Sequence, residues 1–264
     1  MQRNRNIKKI IQPPNIVEHT TNIHRRQDTR SFTKTSPSRP ARIRQNNKRV
    51  VNLQQAALRN IEYSTVQNKF EGETIYIIGG GPSLKDFNFQ NLASAKTIAI
   101  NKAMLFHTQT NVLYWTDVRF YTWYKNEIDN YKGLKFSLAA GSQYTDDVKV
   151  LKKGKAHGLE TDRQTLAHGN NSGYAAINLA YHLGAKRIIL LGFDMGSNGT
   201  DGHFHDGYPT KPAGDKMYQD KFLPGFKQLN AELKDSGVMI LNASPYSKLT
   251  VFPKITLEQA LSFR

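Results

Sequence analysis

The chain of 264 residues contains no cysteine. Disulfide bonds, zinc–thiolate centres, iron–sulfur clusters and cysteine nucleophiles are therefore excluded. No apolar run reaches the length of a membrane-spanning helix, and the first residues lack the apolar core of a signal peptide. From these absences we expect a protein without a membrane span that lies in the cytoplasm, where cysteine is not needed for covalent cross-linking.

Acidic residues are scarce in the first 60 residues. This segment holds 14 Lys and Arg but two acids, Glu18 and Asp28, and so carries +12 of the net charge of +16. It is polar, contains Pro and Ser, and has too few large apolar side chains to offset the entropy of ordering. We therefore interpret residues 1–60 as a disordered basic arm and residues 61–264 as one folded domain.

The basic arm predicts a polyanionic partner. Lys and Arg side chains neutralise phosphates and bind nucleic acid without reading bases. No aromatic residues alternate with these charges, as they do in proteins that stack on single strands. A solvated tail, or a docking segment for another protein, fits the same composition. At the end of the arm, the pattern from Val50 to Tyr63 predicts a short amphipathic helix.

Apolar strands alternate with amphipathic helices through the rest of the chain. The β-branched and aromatic run from Thr74 to Ile78 is typical of a buried parallel strand. Further strands are predicted at Lys96–Asn101, Asn111–Asp117, Leu134–Ala140, Arg187–Phe193 and Val238–Asn242, and helices at 118–131, Tyr174–Leu183 and Phe222–Asp235. This alternation predicts an α/β fold: a Rossmann-like parallel sheet with helices on both faces.

A glycine-rich turn follows the first predicted strand. Gly79, Gly80 and Gly81 lead into Pro82 and Ser83. Glycine permits φ > 0 and lets backbone N–H groups approach a ligand, so the turn predicts a phosphate site. The turn is neither a GxGxxG fingerprint nor a P-loop, because the third fingerprint glycine and the GK[ST] sequence are missing. A tight turn that binds nothing is the alternative.

Polar residues end several of the predicted strands. Asn101, Asp117, Asp194 and Asn242 each stand at a strand end, as does the glycine turn. In open parallel sheets, ligands bind beyond the carboxyl ends of the strands. Ser172, which we expect to be an N-cap, and Gly173 open a helix that Gly184 closes. The pattern therefore predicts one binding site at this edge of the sheet.

The loop after Asp194 contains the candidates for a general base. His205 beside Asp206 is the first choice, and His203 is the second. The loop is long and glycine-rich, as a substrate lid would be. No third cluster of ligands accompanies the histidines, so we expect no metal there. Solvated loop histidines are the alternative interpretation.

Two aspartates support a different chemistry. Asp117 and Asp194 would hold Mg²⁺ beside a triphosphate if the reaction were a diphosphate transfer, since Mg²⁺ prefers oxygen ligands. The alternative for Asp117 is the N-cap of the aromatic-rich helix that follows it. For Asp194 the alternative is a turn residue.

Two motifs together resemble a known superfamily. IIGGGPSL and SGYAAINLAYHLGAKRIILLGFDM are similar to motifs of the bacterial family 42 sialyltransferases and of the related domains named after archaeal hydroxymethylpterin diphosphokinase. The resemblance covers residues from about Thr74 to Asn242. Similar domains occur in bacterial glycan-modifying proteins and in phage genomes, and a phage-encoded member would lie in the host cytoplasm.

The resemblance implies a Rossmann-like, nucleotide-binding transferase. Gly79 to Ser83 would then line the nucleotide phosphate, Asn101 would lie near the donor, and Ser172, Gly173 and Asp194 would complete the site. Gly80 stands where the sialyltransferases have an asparagine. From this we expect a glycosyltransferase that moves a sugar from a nucleotide-sugar donor to an acceptor hydroxyl on a glycan or a modified DNA base. The alternatives are an ATP- and Mg²⁺-dependent diphosphokinase-like enzyme and a non-catalytic nucleic-acid-binding or virion-associated protein.

Overall fold

The computed structural model describes residues 62–138, 144–196, 202–205, 208 and 213–263. The predicted arm of residues 1–60 lies outside the described residues, and so does Asp206. Of the helix predicted from Val50 to Tyr63, the description includes the last two residues alone, and these are not helical. Among the described residues, no helix combines the length and apolar character that crossing a membrane requires.

The described part of the chain contains nine strands and six α-helices. The strands are β1 Thr74–Ile78, β2 Lys96–Ile100, β3 Val112–Trp115, β4 Leu134–Ser137, β5 Val148–Val150, β6 Lys152–Lys153, β7 Thr165–Leu166, β8 Arg187–Leu191 and β9 Met239–Asn242. The helices are α1 Val118–Trp123, α2 Lys125–Asn130, α3 Ser172–His182, α4 Asp215–Met217, α5 Phe226–Asp235 and α6 Leu257–Leu261. Short 3₁₀ turns span Pro82–Leu84, Phe89–Leu92 and Asn101–Leu105, and a π-helical turn spans Tyr218–Phe222.

Seven strands form one sheet in the order β5-β4-β3-β2-β1-β8-β9. Every neighbouring pair in it is parallel, which confirms the predicted class. β6 and β7 form a separate two-stranded parallel ladder. The chain moves outward from β1 through β5 and then returns to place β8 on the other side of β1. The sheet therefore has its switch point between β1 and β8.

Side chains of alternating residues on β1 enter two different cores. Ile75 and Ile77 pack with α3 and α5 on one face, whereas Tyr76 and Ile78 pack with α1, α2 and α6 on the other. All four are fully buried. A strand that is buried on both faces must be apolar at every position, and the run from Thr74 to Ile78 has this pattern. Helices therefore cover both faces, as predicted.

Two predicted helices are divided in the structure. The helix expected over 118–131 breaks at Tyr124 (φ −124°, ψ 33°), which ends α1 and begins α2. The helix expected from Phe222 to Asp235 begins instead at Phe226. Pro224 has no N–H to donate into the preceding turn, and Gly225 becomes the N-cap of α5. Neither break moves a predicted site residue away from the sheet edge.

Candidate functional site

The chain segments that leave β1 and β8 are hydrogen-bonded to each other at the switch point. Gly79 N–H donates to the carbonyl of Leu191 (2.8 Å), and Gly81 N–H donates to the carbonyl of Gly192 (2.8 Å). These bonds extend the pairing of β1 and β8 beyond the last residues of the strands. The glycine turn and the residues around Asp194 therefore form one wall of the crevice where an open α/β sheet binds ligands.

The glycines of the turn are required by close packing. A Cβ on Gly81 would lie 1.9 Å from Asp194 Oδ2, and one on Gly79 would lie 2.7 Å from the carbonyl oxygen of Gly192. None of the three has a positive φ, and Gly81 has φ −66°. The expectation that φ > 0 explains the glycines is therefore wrong. Gly79 and Gly81 are needed because the segment after β8 leaves no room for a side chain, whereas a Cβ on Gly80 would lie 2.9 Å from His203 Nδ1.

Most backbone N–H groups of the glycine turn already donate hydrogen bonds within the protein. The N–H groups of Gly79 and Gly81 donate to the segment after β8, and Ser83 N–H points at Asp194 Oδ2 at 3.4 Å. Pro82 has no N–H. Of this turn, the N–H of Gly80 alone has no acceptor among the described residues. The turn therefore offers a phosphate far fewer donors than its sequence suggests.

Asp194 is the buried acid of the site. Its side chain is 2% exposed, and Ser83 Oγ donates to its Oδ2 (2.8 Å). Its Oδ1 has no partner among the described residues. Burial raises the pKa of this carboxyl above its ordinary value, and the hydrogen bonds from Ser83 oppose part of that rise. An unsatisfied buried carboxylate oxygen is costly, so a ligand donor or cation would be stabilised there.

The first turn of α3 contributes unpaired donors. Asn171, not Ser172, is the N-cap: its side chain accepts from the N–H of Tyr174 (2.8 Å). Ser172 Oγ shares a hydrogen bond with Thr116 Oγ1. The N–H groups of Ser172 and Gly173 have no acceptor within the described ranges. At a helix N-terminus such amides favour an anion, and the helix dipole adds to that preference.

These features surround a cavity of about 390 Å³. Of the predicted site residues, it is lined by Gly79, Gly80, Gly81, Asn101, Asp117, Ser172, Gly173, Asp194 and His203. Pro82, Ser83 and His205 do not line it, although Ser83 contacts Asp194 from behind. Its described lining holds two acids, Asp117 and Asp194, and neither Lys nor Arg.

Strained backbone is concentrated around this cavity. The described non-glycine residues with positive φ are Asn101 (52°), Asn170 (58°) and Met195 (54°), and all three line the cavity. They belong to different segments: the end of β2, the approach to α3 and the end of β8. Asparagine tolerates this conformation, but methionine adopts it at a cost. Such residues cluster at binding and catalytic sites, where the surrounding fold holds them.

Asp117 is committed to local structure. It is the N-cap of α1, accepting from the N–H of Arg119 (2.9 Å), and its carboxylate also pairs with the Arg119 guanidinium. These interactions hold its pKa below the ordinary value. The N-cap that the sequence suggests as an alternative is thus present. Within the described residues, no group of three His, Asp or Glu side chains is arranged to hold a metal.

The two histidines of the loop have different positions. His203 lines the cavity, whereas His205 is 8% exposed and is packed between His203 and Phe106. The two imidazoles stack with centroids 5.1 Å apart and planes 7° apart. Burial lowers the pKa of His203, so its ring is neutral at pH 7. Of the two histidines, His203 thus lines the cavity and His205 does not, although the sequence suggests His205 as the first candidate.

Tyr208 completes the described part of this loop. Its hydroxyl accepts from the N–H of Lys102 (3.3 Å), and its ring meets both imidazoles edge-on at 5.2 and 5.3 Å. Burial raises its pKa to about 12. The phenol therefore remains protonated at neutral pH and acts as a hydrogen-bond donor or acceptor rather than as a base.

Sequence reasoning missed several residues of the cavity. Asn170, Asn171 and Met195 line it, and none was predicted as a site residue. The signal for Asn171 was present, because asparagine is as good an N-cap as serine and directly precedes the helix. No sequence signal marks Met195, whose left-handed backbone arises from the turn after β8.

Comparisons with models of protein families, with curated proteins and with solved structures gave no match.

Proposed function

We propose that this chain is a nucleotide-sugar-dependent glycosyltransferase whose donor binds in the cavity at the switch point between β1 and β8. One observation carries the proposal. The same cavity is lined by the unpaired amides at the first turn of α3 and by Asp194, whose Oδ1 is unpaired. It is also lined by every described non-glycine residue that has a positive φ. An anion at the amides and a hydroxyl at the carboxylate are the ligands that this arrangement favours.

The proposed donor is held mainly by α3. Its phosphate accepts from the N–H groups of Ser172 and Gly173, with the positive end of the helix dipole behind them. Asp194 Oδ1 and the buried Oδ1 of Asn101, which also lacks a partner among the described residues, accept from sugar or nucleoside hydroxyls. The resemblance in the IIGGGPSL and SGYAAINLAYHLGAKRIILLGFDM motifs supports a nucleotide sugar as the ligand.

The chemistry requires one base and one stabilised leaving group. His203 takes the proton of the acceptor hydroxyl, and the acceptor oxygen forms a bond to the anomeric carbon. The bond between that carbon and the phosphate oxygen breaks, and the nucleotide departs with the electron pair. The α3 amides stabilise the charge that develops on the phosphate. The lowered pKa of His203 keeps its ring available as a base.

Ligand-induced stabilisation tests the binding step. We expect the Tm of the full chain to rise with one of the UDP-, CMP- or GDP-sugars, and the rise to disappear in Asp194→Asn. Transfer is then measured by nucleotide release in the presence of acceptor hydroxyls. We expect His203→Gln to lose at least 100-fold in kcat, within the range for loss of a general base, and His205→Gln to lose less. Binding of none of these donors would remove the proposal.

A diphosphokinase-like reaction is the second candidate, and one observation favours it. Two aspartates and no Lys or Arg line the described cavity, so a triphosphate there needs a divalent cation to neutralise it. Asp194 Oδ1 fits Mg²⁺, but Asp117 is engaged with Arg119. If ATP stabilises the protein in the presence of Mg²⁺ and no nucleotide sugar does, this candidate replaces the first.

A nucleic-acid acceptor would fit the basic N-terminal segment. Its net charge of +12 favours contact with phosphates. Deleting residues 1–60 and measuring DNA affinity across a salt series tests this partner. Unchanged affinity would reject it, and strong DNA binding by a chain that binds no nucleotide would favour a non-catalytic nucleic-acid-binding role.

A further inference from the structure

A second cavity adjoins the first at the start of α3. It has a volume of about 520 Å³ and is lined by Thr116, Leu138, Lys153, His168, Asn170 and Asn171. Thr116, Asn170 and Asn171 also line the first cavity. The two spaces therefore share the wall formed by the N-cap of α3 and the end of β3. A molecule that reaches past this wall would contact both.

The ionisable side chains that line the two cavities differ. The first contains Asp117 and Asp194 without a described Lys or Arg, whereas the second contains Lys153 and His168 without a described carboxylate. Lys153 is exposed and has no ion pair among the described residues. Its neighbour Lys155 is partly neutralised by Glu232 at 3.7 Å. Lys153 therefore remains available to an anion in this cavity.

The fold fixes Lys153 and His168 beside the helix. Lys153 on β6 pairs with Leu166 on β7, and His168 lies two residues beyond that strand. His168 Nδ1 accepts from the N–H of Asn170 (3.1 Å), whose left-handed backbone turns the chain into α3. Burial lowers the pKa of His168, and the positive charges of Lys153 and His157 lower it further. The ladder thus presents a positive surface next to the first turn of α3.

We propose that the second cavity binds a phosphate group of the acceptor, held by Lys153 and His168. The inference rests on the proposed function, because the donor then fills the first cavity and the other reactant enters the second. A phosphate is attracted by the free charge of Lys153 and by the positive end of the α3 dipole. In the first cavity the amides of Ser172 and Gly173 are already assigned to the phosphate of the donor. The acceptor is therefore a phosphorylated molecule, either a phosphomonoester or a phosphodiester such as a nucleic-acid strand.

Histidine NMR of the full-length protein tests this site directly. The Cε1 proton of His168, assigned with His168→Gln, is titrated against pH with and without inorganic phosphate at constant ionic strength. A bound anion favours the imidazolium, so we expect phosphate to raise the pKa of His168. We expect Lys153→Gln to weaken phosphate binding at least fivefold. Lys234→Gln, which changes an exposed lysine on α5 outside both cavities, serves as the matched control and retains the response.

Dimethyl phosphate, a phosphodiester monoanion, distinguishes a phosphodiester acceptor from a phosphomonoester acceptor. A response to it as well as to inorganic phosphate supports a phosphodiester acceptor, and a response to inorganic phosphate alone supports a phosphomonoester. No change at His168 with either probe would overturn the proposal, as would an equal response in Lys153→Gln and the unsubstituted protein. The probes contain no nucleotide, so this result is independent of donor binding. If phosphate moves His168 but no nucleotide sugar binds, the anion site stands and the glycosyltransferase function falls.

Discussion

The glycine turn after β1 and the first turn of α3 face the same cavity, but the sequence motif predicts a phosphate site at the glycine turn alone. In the glycine turn, the amides of Gly79 and Gly81 already donate to the segment after β8. At α3, the amides of Ser172 and Gly173 have no acceptor within the described residues. The comparison shows that glycines bring two backbone segments together as readily as they bring a backbone to a ligand. The accounting of N–H groups, rather than the motif, therefore favours the first turn of α3 over the glycine turn as the place where an anion would be bound.

Substituting Gly81 tests the structural half of this comparison and has the largest expected effect. A Cβ would lie 1.9 Å from Asp194 Oδ2 and 2.5 Å from the carbonyl oxygen of Gly192, so both segments must shift. We expect Gly81→Ala to lower the free energy of unfolding by about 3 kcal/mol, at the upper end for overpacking. Urea denaturation measures this.

Gly214→Ala is the matched control for that substitution. A Cβ there would meet nothing within 4 Å, and the φ of −75° suits alanine. We expect a change of less than about 0.5 kcal/mol. Equal stability of the Gly81→Ala and Gly214→Ala variants would contradict the packing role. It would instead favour a role for the glycine turn in binding a ligand.

Asp194→Asn tests how much stability the protein loses by burying the Asp194 carboxylate beside the glycine turn. The raised pKa means that the folded state binds the proton more tightly than the unfolded state. The unsubstituted protein therefore loses stability as pH rises from the ordinary Asp value of 3.8 through the raised folded value. Asparagine removes this loss and keeps an acceptor for Ser83. We expect the variant to be more stable at pH 7 by about 1–2 kcal/mol, because it no longer buries a charge at this position.

The pH dependence of that difference distinguishes charge from packing. The stability gain of Asp194→Asn should vanish at pH values below 3.8, where the carboxyl is protonated in both states. Urea denaturation at several pH values measures it. A gain that persists unchanged at low pH would show that burial of the charge is not its origin.

Asn171→Ala tests the N-terminus of α3. Loss of the acceptor for Tyr174 N–H should cost about 1 kcal/mol of stability, the usual value for an N-cap. Ser172→Ala should cost less, because Ser172 gives up one hydroxyl contact with Thr116 and no cap. Thermal and urea unfolding of both variants measure the difference. A larger loss in Ser172→Ala would restore the N-cap that the sequence suggests.

The sequence predicts the sheet better than the site, for a physical reason. β1 is recognisable because a strand buried on both faces must be apolar throughout, and Thr74–Ile78 matches the observed bounds. The α3 helix and the left-handed Gly184 (φ 95°) likewise follow from local pattern. The strand order is set by long-range packing. The sequences of β1 and β8 therefore do not indicate that these two strands are paired. For the same reason, the second cavity with Lys153 and His168 has no local signal.

The N-terminus of α1 provides the contrasting case to α3, with the smallest expected effect. Asp117 caps it and pairs with Arg119, so its own side chain already supplies the negative charge that a ligand would bring. We expect Asp117→Asn, which keeps the capping oxygen, to change stability by less than about 0.5 kcal/mol. Donor affinity should stay within twofold in a thermal-shift titration. A loss of Mg²⁺-dependent ATP binding in Asp117→Asn would instead show that Asp117 leaves Arg119 for the metal, which favours the diphosphokinase-like reaction.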